Sequence, residues 1–178
     1  LPTSISAVNT IALHPDDHII AIATQDEQII LWDMEANAQK DERLAHPGGA
    51  LTLAFSSDGN QLVSAGNDGI LYTWNVETGA LVHILGDYDT LNGHTNVVTS
   101  VAYNHNGTLI ASAGWDGKII LWDAITGEEI QTLGVLTDSF EKFYNALIFH
   151  PTENMLASGD WDGGIRIWDL STYELRTE

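Results

Sequence analysis

The sequence predicts an all-β fold built from four repeated, four-stranded antiparallel units. A Trp followed by Asp or Asn closes an apolar run four times, at Trp32, Trp74, Trp122 and Trp168, with spacings of 42, 48 and 46 residues. An Asp stands six residues before each of these tryptophans. Asp-Gly, Asn-Gly and Thr-Gly pairs separate the short apolar runs, which indicates strands joined by tight turns rather than helices.

The third unit shows this organisation most clearly. Its apolar runs read VVTSVAYN, LIASAG, KIILWD and EEIQTL, and they are separated by Asn106-Gly107, Asp116-Gly117 and Thr126-Gly127. Each run has the length and the β-branched content of a single strand. The same frame divides the chain into units of about 1–44, 45–90, 91–136 and 137–178.

Composition excludes several functional classes. The chain has 178 residues, 44% of them hydrophobic, which is enough to bury a core. Its 25 acidic residues against 6 basic ones give a net charge of −19, which opposes binding to nucleic acid. No apolar run reaches the roughly 18–20 residues that span a bilayer, so we expect no membrane partner. Without cysteine there is no disulfide and no thiol catalysis, but the cellular compartment stays open.

The segment GHTNVVTSVAYNHNGTLIASAGWDGKIILWD, residues 93–123, resembles a unit of the WD-repeat (WD40-type) β-propeller family. The other three units share its frame, although the first and fourth are degenerate. The resemblance implies that each unit is one propeller blade, with its first strand lining a central channel and its fourth strand outermost. The four blades would form a half or partial propeller, or part of a larger ring.

Two units contain His, Ser and Asp, the residue types of a hydrolytic triad. Their repetition at identical offsets, without a nucleophile turn or an evident oxyanion donor, favours a structural role. The resemblance implies a hydrogen-bonded network inside each blade that also includes the Trp of the third strand. The network residues are His46, Ser64, Asp68 and Trp74 in the second unit, and His94, Ser112, Asp116 and Trp122 in the third. Ser4 and Ile22, and Phe140 and Ser158, fill the His and Ser slots of the outer units, whose networks we expect to be incomplete.

The resemblance also implies a partner-binding face around the channel entrance. Family contacts there use the third and fifth residues after the His slot and the residue before the turn Asp. These slots hold Ala7, Gly49, Val97 and Phe143; Asn9, Leu51, Thr99 and Asn145; and Gln25, Asn67, Trp115 and Trp161. We expect the partner to contact Trp115, Trp161, Phe143, Val97, Thr99, Asn145, Leu51 and Asn67, since aromatic residues commonly anchor interfaces. Alternatively, the two tryptophans pack against neighbouring loops, including 86–92.

These observations predict a non-enzymatic platform that binds a protein or peptide segment, and the acidic charge favours a basic partner. The alternative is a structural segment that self-assembles through its edge blades. A third class is an enzyme that uses acidic channel residues with a metal. The acidic pairs, such as Asp16-Asp17 and Glu128-Glu129, lack the spacing of a calcium loop, so we predict no metal site and no cofactor.

Ring closure is a separate expectation. Propellers have about 4–8 blades, so four units lie at the lower limit for a ring. The sequence begins near an inner strand and ends in an outer one, and no strand is evidently shared between the termini to latch a ring. We therefore predict a homodimer that makes an eight-bladed ring, or a piece of a longer propeller.

Overall fold

The fold consists of four antiparallel sheets of four strands each, as seen in a computed structural model that describes residues 6–16, 18–87, 92–134 and 143–177. The side chains of residues 41–43 lie outside this description. Every sheet is made of four consecutive strands in chain order, and no described residue is helical. The predicted fold class is thereby confirmed. We number the sheets blades 1 to 4.

The strands of each blade follow one another through short turns. Blade 1 comprises β1 (Val8–Leu13), β2 (Ile19–Thr24), β3 (Gln28–Asp33) and β4 (Ala38–Ala45). Blade 2 comprises β5 (Ala50–Phe55), β6 (Gln61–Gly66), β7 (Leu71–Asn75) and β8 (Leu81–Leu85). Blade 3 comprises β9 (Val98–Tyr103), β10 (Leu109–Gly114), β11 (Ile119–Asp123) and β12 (Glu129–Leu133). Blade 4 comprises β13 (Tyr144–Phe149), β14 (Met155–Asp160), β15 (Ile165–Asp169) and β16 (Glu174–Thr177).

The Asp-Gly pairs form the turns between the second and third strands of blades 2 and 3. Gly69 and Gly117 have φ values of 76° and 75°, a region that side-chain-bearing residues rarely adopt. The preceding carboxylates, Asp68 and Asp116, each accept the backbone N–H two residues later, at 3.1 Å. This local bond is the usual reason for Asp at such a turn.

The blades pack face to face around their innermost strands. We call the side of a blade that points toward the next blade in the chain its forward face, and the opposite side its rear face. At the seam between blades 3 and 4, Ala111, Ile119 and Leu121 of the forward face pack against Leu156 and Trp168 of the rear face. Equivalent clusters join blades 1 and 2 and blades 2 and 3. The core of the molecule is therefore divided among three apolar seams.

Side-chain hydroxyls add a polar link at two of these seams. Thr52 Oγ1 accepts the backbone N–H of Val101 at 3.2 Å, and Ser100 Oγ accepts that of Leu147 at 3.1 Å. Both hydroxyls lie on inner strands at the same repeat position. They satisfy backbone donors that strand pairing within the blade leaves available.

The four blades form an open array. The inner strands β1, β5, β9 and β13 pack in chain order, and the first and last of them are not neighbours. No described strand is exchanged between blades. The predicted unit boundary at 44/45 falls at the end of β4, whereas those at 90/91 and 136/137 lie outside the described residues. No helix in the described part of the chain is long and apolar enough to cross a membrane.

Candidate functional site

Every inner strand carries a β-bulge near its first residue, and the bulge fixes where the side chains of this region point. The pairing with the second strand skips one residue in each blade: Asn9, Leu51, Thr99 and Asn145. These are the four residues in the fifth slot after the His position. A bulged residue stands outside the ladder and its side chain is re-aimed. The repeat therefore presents one such side chain per blade at the same end of the array.

A backbone hydrogen bond brings the other two predicted slots together in all four blades. The residue before the turn Asp donates its N–H to the carbonyl of the third-slot residue. The pairs, with N···O distances, are Gln25 to Ala7 (2.8 Å), Asn67 to Gly49 (3.3 Å), Trp115 to Val97 (2.9 Å) and Trp161 to Phe143 (3.0 Å). The twelve slots therefore lie around one end of the sheets, which we call the entrance face.

Three aromatic rings of blades 3 and 4 meet on the entrance face. The ring centroids of Trp115 and Trp161 lie 6.0 Å apart, with their planes tilted by 36°. Phe143 lies 6.3 Å from each of them, edge-on at 75°. These separations are typical of directly packed aromatic pairs. We call these three residues the aromatic triangle.

The two tryptophans of the aromatic triangle differ in exposure and in how they are held. Trp161 is 69% exposed. With the Asn145 amide oriented by its partners, its oxygen accepts the indole N–H of Trp161 at 2.6 Å, and its nitrogen donates to the Tyr144 carbonyl at 3.3 Å. Trp115 is half-buried, and its indole nitrogen has no hydrogen-bond acceptor among the described residues. Ring packing therefore positions Trp115, whereas Asn145 fixes the exposed Trp161.

The remaining predicted contact residues surround the triangle less closely. Val97, Thr99 and Leu51 are half-buried, while Asn67 is exposed. Thr99 Oγ1 bonds to the backbone carbonyls of Ala113, at 3.2 Å, and of Tyr144. Asn67 donates from Nδ2 to the Gly48 carbonyl at 2.8 Å. Most of the loop 86–92, the alternative packing partner of the tryptophans, lies outside the described residues.

In blade 3, the polar side chains form one continuous network. His94 lies 2.8 Å from Ser112 Oγ through Nε2 and 3.0 Å from both Asp116 oxygens through Nδ1. Trp122 donates its indole N–H to Ser112 Oγ at 2.8 Å. An ionised carboxylate only accepts, so with a neutral ring Nδ1–H donates to Asp116 and Nε2 accepts from Ser112. Every buried polar group of the chain is then paired.

Blade 2 contains a similar network with one additional member. His46 contacts Ser64 Oγ at 2.9 Å through Nδ1 and Asp68 at 3.3 Å through Nε2, and Trp74 donates to Ser64 at 2.9 Å. Tyr72 donates its hydroxyl to Asp68 at 3.1 Å. Burial, together with the Asp68 charge and hydrogen bond, raises the pKa of Tyr72 to about 12. Tyr72 therefore remains a neutral donor at physiological pH.

Burial separates these networks from a working hydrolytic triad. The side chain of His94 is fully buried and that of Asp116 is 3% exposed, and Ser112 is also inaccessible. Burial opposes ionisation of Asp116, but hydrogen bonds from His94, the His94 charge and the backbone N–H groups of Thr95 and Lys118 hold its pKa below the usual value. A hydroxyl that accepts an indole N–H inside a blade offers no surface to a substrate.

Blade 4 replaces part of the network with an ion pair. Trp168 still donates to Ser158 Oγ at 2.9 Å. Arg166 and Asp160, whose side chains are 1% and 0% exposed, form a 2.6 Å ion pair inside the sheet. The sequence analysis missed this pair because neither residue occupies a WD-repeat motif slot. The charge of Arg166 between two apolar strand residues, in the sequence IRIWD, is the signal that could have revealed it.

The outer blades contain two predicted positions that the structure does not describe, Ser4 and Phe140. Ile22 of blade 1 is buried, and Asp26 accepts the hydroxyl of Thr24 at 2.6 Å. Among the described residues, no group of three His, Asp or Glu side chains is arranged to hold a metal ion.

Solved structures share this architecture. A structure of U3-55K and a crystal structure of the RRP9 WD40 repeats each superpose on 98% of this chain with a TM-score of 0.84 and 20% sequence identity. The superposition covers 52% of each of those chains. At this identity, the likeness shows the fold.

Sequence relatives cover smaller parts of the chain. Human striatin is 29% identical over 115 residues, which are 55% of this chain and 15% of striatin. Human WD repeat-containing protein 36 is 35% identical over 77 residues, 43% of this chain and 9% of that protein. The TSET complex member tstF of Dictyostelium discoideum is 31% identical over 101 residues, 51% of this chain and 9% of tstF. The chain therefore spans only a small part of each of these relatives.

The family match covers most of the sequence. Residues 3–33, 40–75, 87–123 and 131–169 each match the family described as WD domain, G-beta repeat. The four matches contain the four Trp-Asp or Trp-Asn closures and the third strands that bear them. The chain belongs to the WD-repeat family, and its four sheets are WD40 propeller blades.

Proposed function

We propose that this chain is a non-enzymatic platform that binds a protein or peptide segment on its entrance face, with the aromatic triangle as the anchor. WD-repeat scaffolds typically mediate protein–protein interaction. The observation that carries the proposal is the exposure of Trp161, which is 69% accessible while Asn145 holds its indole in one orientation. A large aromatic surface fixed in place binds without losing much conformational entropy.

The chemistry of the triangle indicates the class of side chain that it accepts. The three rings pack directly on one another, so a ligand group contacts their outer surface rather than a space between them. The exposed indole of Trp161 offers a flat surface to an apolar side chain or to a guanidinium. The net charge of −19 attracts a basic segment and speeds its approach at low salt.

The proposal is tested with peptides selected for binding to the wild-type chain from a random displayed library. Selected peptides should be enriched in basic and apolar residues. The double change Trp115→Ala and Trp161→Ala should weaken them about thirtyfold or more, since an interface anchor contributes about 2 kcal/mol. The melting temperature of the variant should stay within a few degrees.

Ile125→Ala is the matched control, because Ile125 is 71% exposed in a turn of blade 3 away from the triangle. It should leave peptide affinity unchanged. If the folded double variant binds with wild-type affinity, the partner uses another surface. If the double variant unfolds, the tryptophans are packing residues and the anchor assignment is wrong.

A further inference from the structure

Blade 4 leaves its forward face uncovered by any described residue. Ile148 is 67% exposed and Ile165 is 66% exposed, although both project from the middle of an apolar sheet. Ile167, Met155 and Ala157 lie beside them and are only partly buried. Together they line an apolar groove of about 230 Å³ with the adjacent turn. Contiguous exposed apolar surface of this kind marks an interaction site.

The register of the strands shows that this surface is the same face that forms the internal seams. In blade 4, Ala157 pairs with Ile148 on one side and with Ile167 on the other. In blade 3, the equivalent Ala111 pairs with Ala102 and Leu121, and these residues are covered by blade 4. The forward face of blade 4 therefore has the pattern of a seam that lacks its second half.

One position shows the contrast directly. Ile165 occupies the repeat position of Ile119 and Leu71, and both of those residues are fully buried in their seams. The side chains are of the same chemical type, so the difference in exposure comes from the missing neighbour. The occupant that would bury Ile165 is the rear face of a WD-repeat blade.

Such a rear face is exposed at the other end of the same chain. In blade 1, Ile11 is 64% exposed and Leu13 is 55% exposed. They occupy the positions of Leu53 and Phe55, which are packed in the seam between blades 1 and 2. Ile22 pairs with Ile11 in the register that Ser64 and Leu53 use in blade 2. Blade 1 therefore presents the complementary half of the seam.

We propose that two copies of this chain associate head to tail, with the forward face of blade 4 of one copy packed on the rear face of blade 1 of the other. Two such seams form at once around a two-fold axis and produce an eight-bladed ring. The chain superposes on about half, 52%, of solved WD40-repeat chains, so its arc leaves room for a second copy. Closing both seams makes the second contact intramolecular, which strengthens the pair.

Charge affects this association in a defined direction. Each copy carries a net charge of −19, so the two copies repel each other over long distances. The seam itself is apolar, and added salt screens the repulsion without weakening the apolar contact. The pair therefore tightens as the NaCl concentration rises from 50 to 500 mM, on the order of tenfold changes in ionic strength.

The test is the mass of the 178-residue chain in solution, measured by light scattering and sedimentation over a range of concentrations. The expected result is a species of twice the 19.4 kDa of one chain. The changes Ile165→Asp on the forward face and Ile11→Asp on the rear face should each give monomers. Ile125→Asp, at an equally exposed site outside both faces, should still give the dimer.

Mixing the two monomeric variants tests the head-to-tail geometry. The Ile165→Asp copy keeps an intact rear face and the Ile11→Asp copy keeps an intact forward face, so the mixture forms one seam and a heterodimer. Circular dichroism establishes that each variant is folded, and Ile148→Asp replaces Ile165→Asp if the latter unfolds. A wild-type chain that is monomeric throughout, a ladder of larger masses, or a mixture that stays monomeric would each overturn the proposal.

Discussion

Blades 3 and 4 have the same strand register but fill their interiors with different chemistry. Blade 3 connects four side chains through neutral and charge-assisted hydrogen bonds, from Trp122 to Asp116. Blade 4 keeps the Ser158–Trp168 bond and places the Arg166–Asp160 ion pair where blade 3 has Ile120 and Gly114. The difference teaches that the repeat fixes the geometry of a blade and leaves open which polar groups stabilise its interior.

Breaking the ion pair should have the largest effect. Arg166→Ile leaves the buried Asp160 carboxylate without its cation and should reduce the free energy of unfolding by about 3–5 kcal/mol. The paired change Arg166→Ile with Asp160→Gly installs the residues that blade 3 has at these positions. It should recover most of the loss, because both buried charges are removed together. Urea denaturation measures both variants, and a paired variant as unstable as the single one would show that the blades are not interchangeable here.

Removing the shared serine should separate the two blades by a smaller amount. Ser112→Ala leaves both Trp122 and His94 without a partner, whereas Ser158→Ala leaves only Trp168. Each buried group left unpaired costs about 1–3 kcal/mol. Ser112→Ala should therefore lower the melting temperature more than Ser158→Ala. Equal losses would indicate that the histidine adds nothing to the stability of blade 3.

The smallest effect concerns acid pH. The pKa of Asp116 is lower in the folded chain than its ordinary value of 3.8, so the folded state favours the ionised carboxylate. Its contribution to stability is complete above the unfolded pKa and is lost as the pH falls through the lower folded pKa. The stability advantage of the wild type over Asp116→Asn should be constant near pH 7 and shrink below about pH 4. An advantage that grows on acidification would contradict this sign.

The sequence was sufficient to predict the fold because its turn signals are local. Asp68-Gly69 and Asp116-Gly117 mark turns whose glycines adopt positive φ, and the Trp-Asp closures give the repeat length. These features depend only on neighbouring residues. The all-β class, the four four-stranded sheets and the WD-repeat resemblance were therefore all accessible without coordinates.

Features that depend on distant residues could not be predicted in the same way. The bulged residues Asn9, Leu51 and Thr99 share no side-chain type, so no residue signal marks the bulge. Arg166 and Asp160 lie on different strands, and only the register brings them into contact. Ile165 looks like Ile119 in sequence, and its exposure follows from what lies beyond blade 4. Pairing and neighbours, rather than residue preference, decide these three features.

The bulge in each inner strand also has an evolutionary consequence. A residue outside the ladder can be exchanged without shifting the strand register. Leu51 makes no hydrogen bond like that of Asn9 to the next blade, yet the following seam keeps the link from Thr52 to Val101. The entrance face can therefore change its specificity one blade at a time, by mutation at four positions, while the frame is inherited unchanged. A combinatorial library at residues 9, 51, 99 and 145 would exploit the same freedom to select new binders.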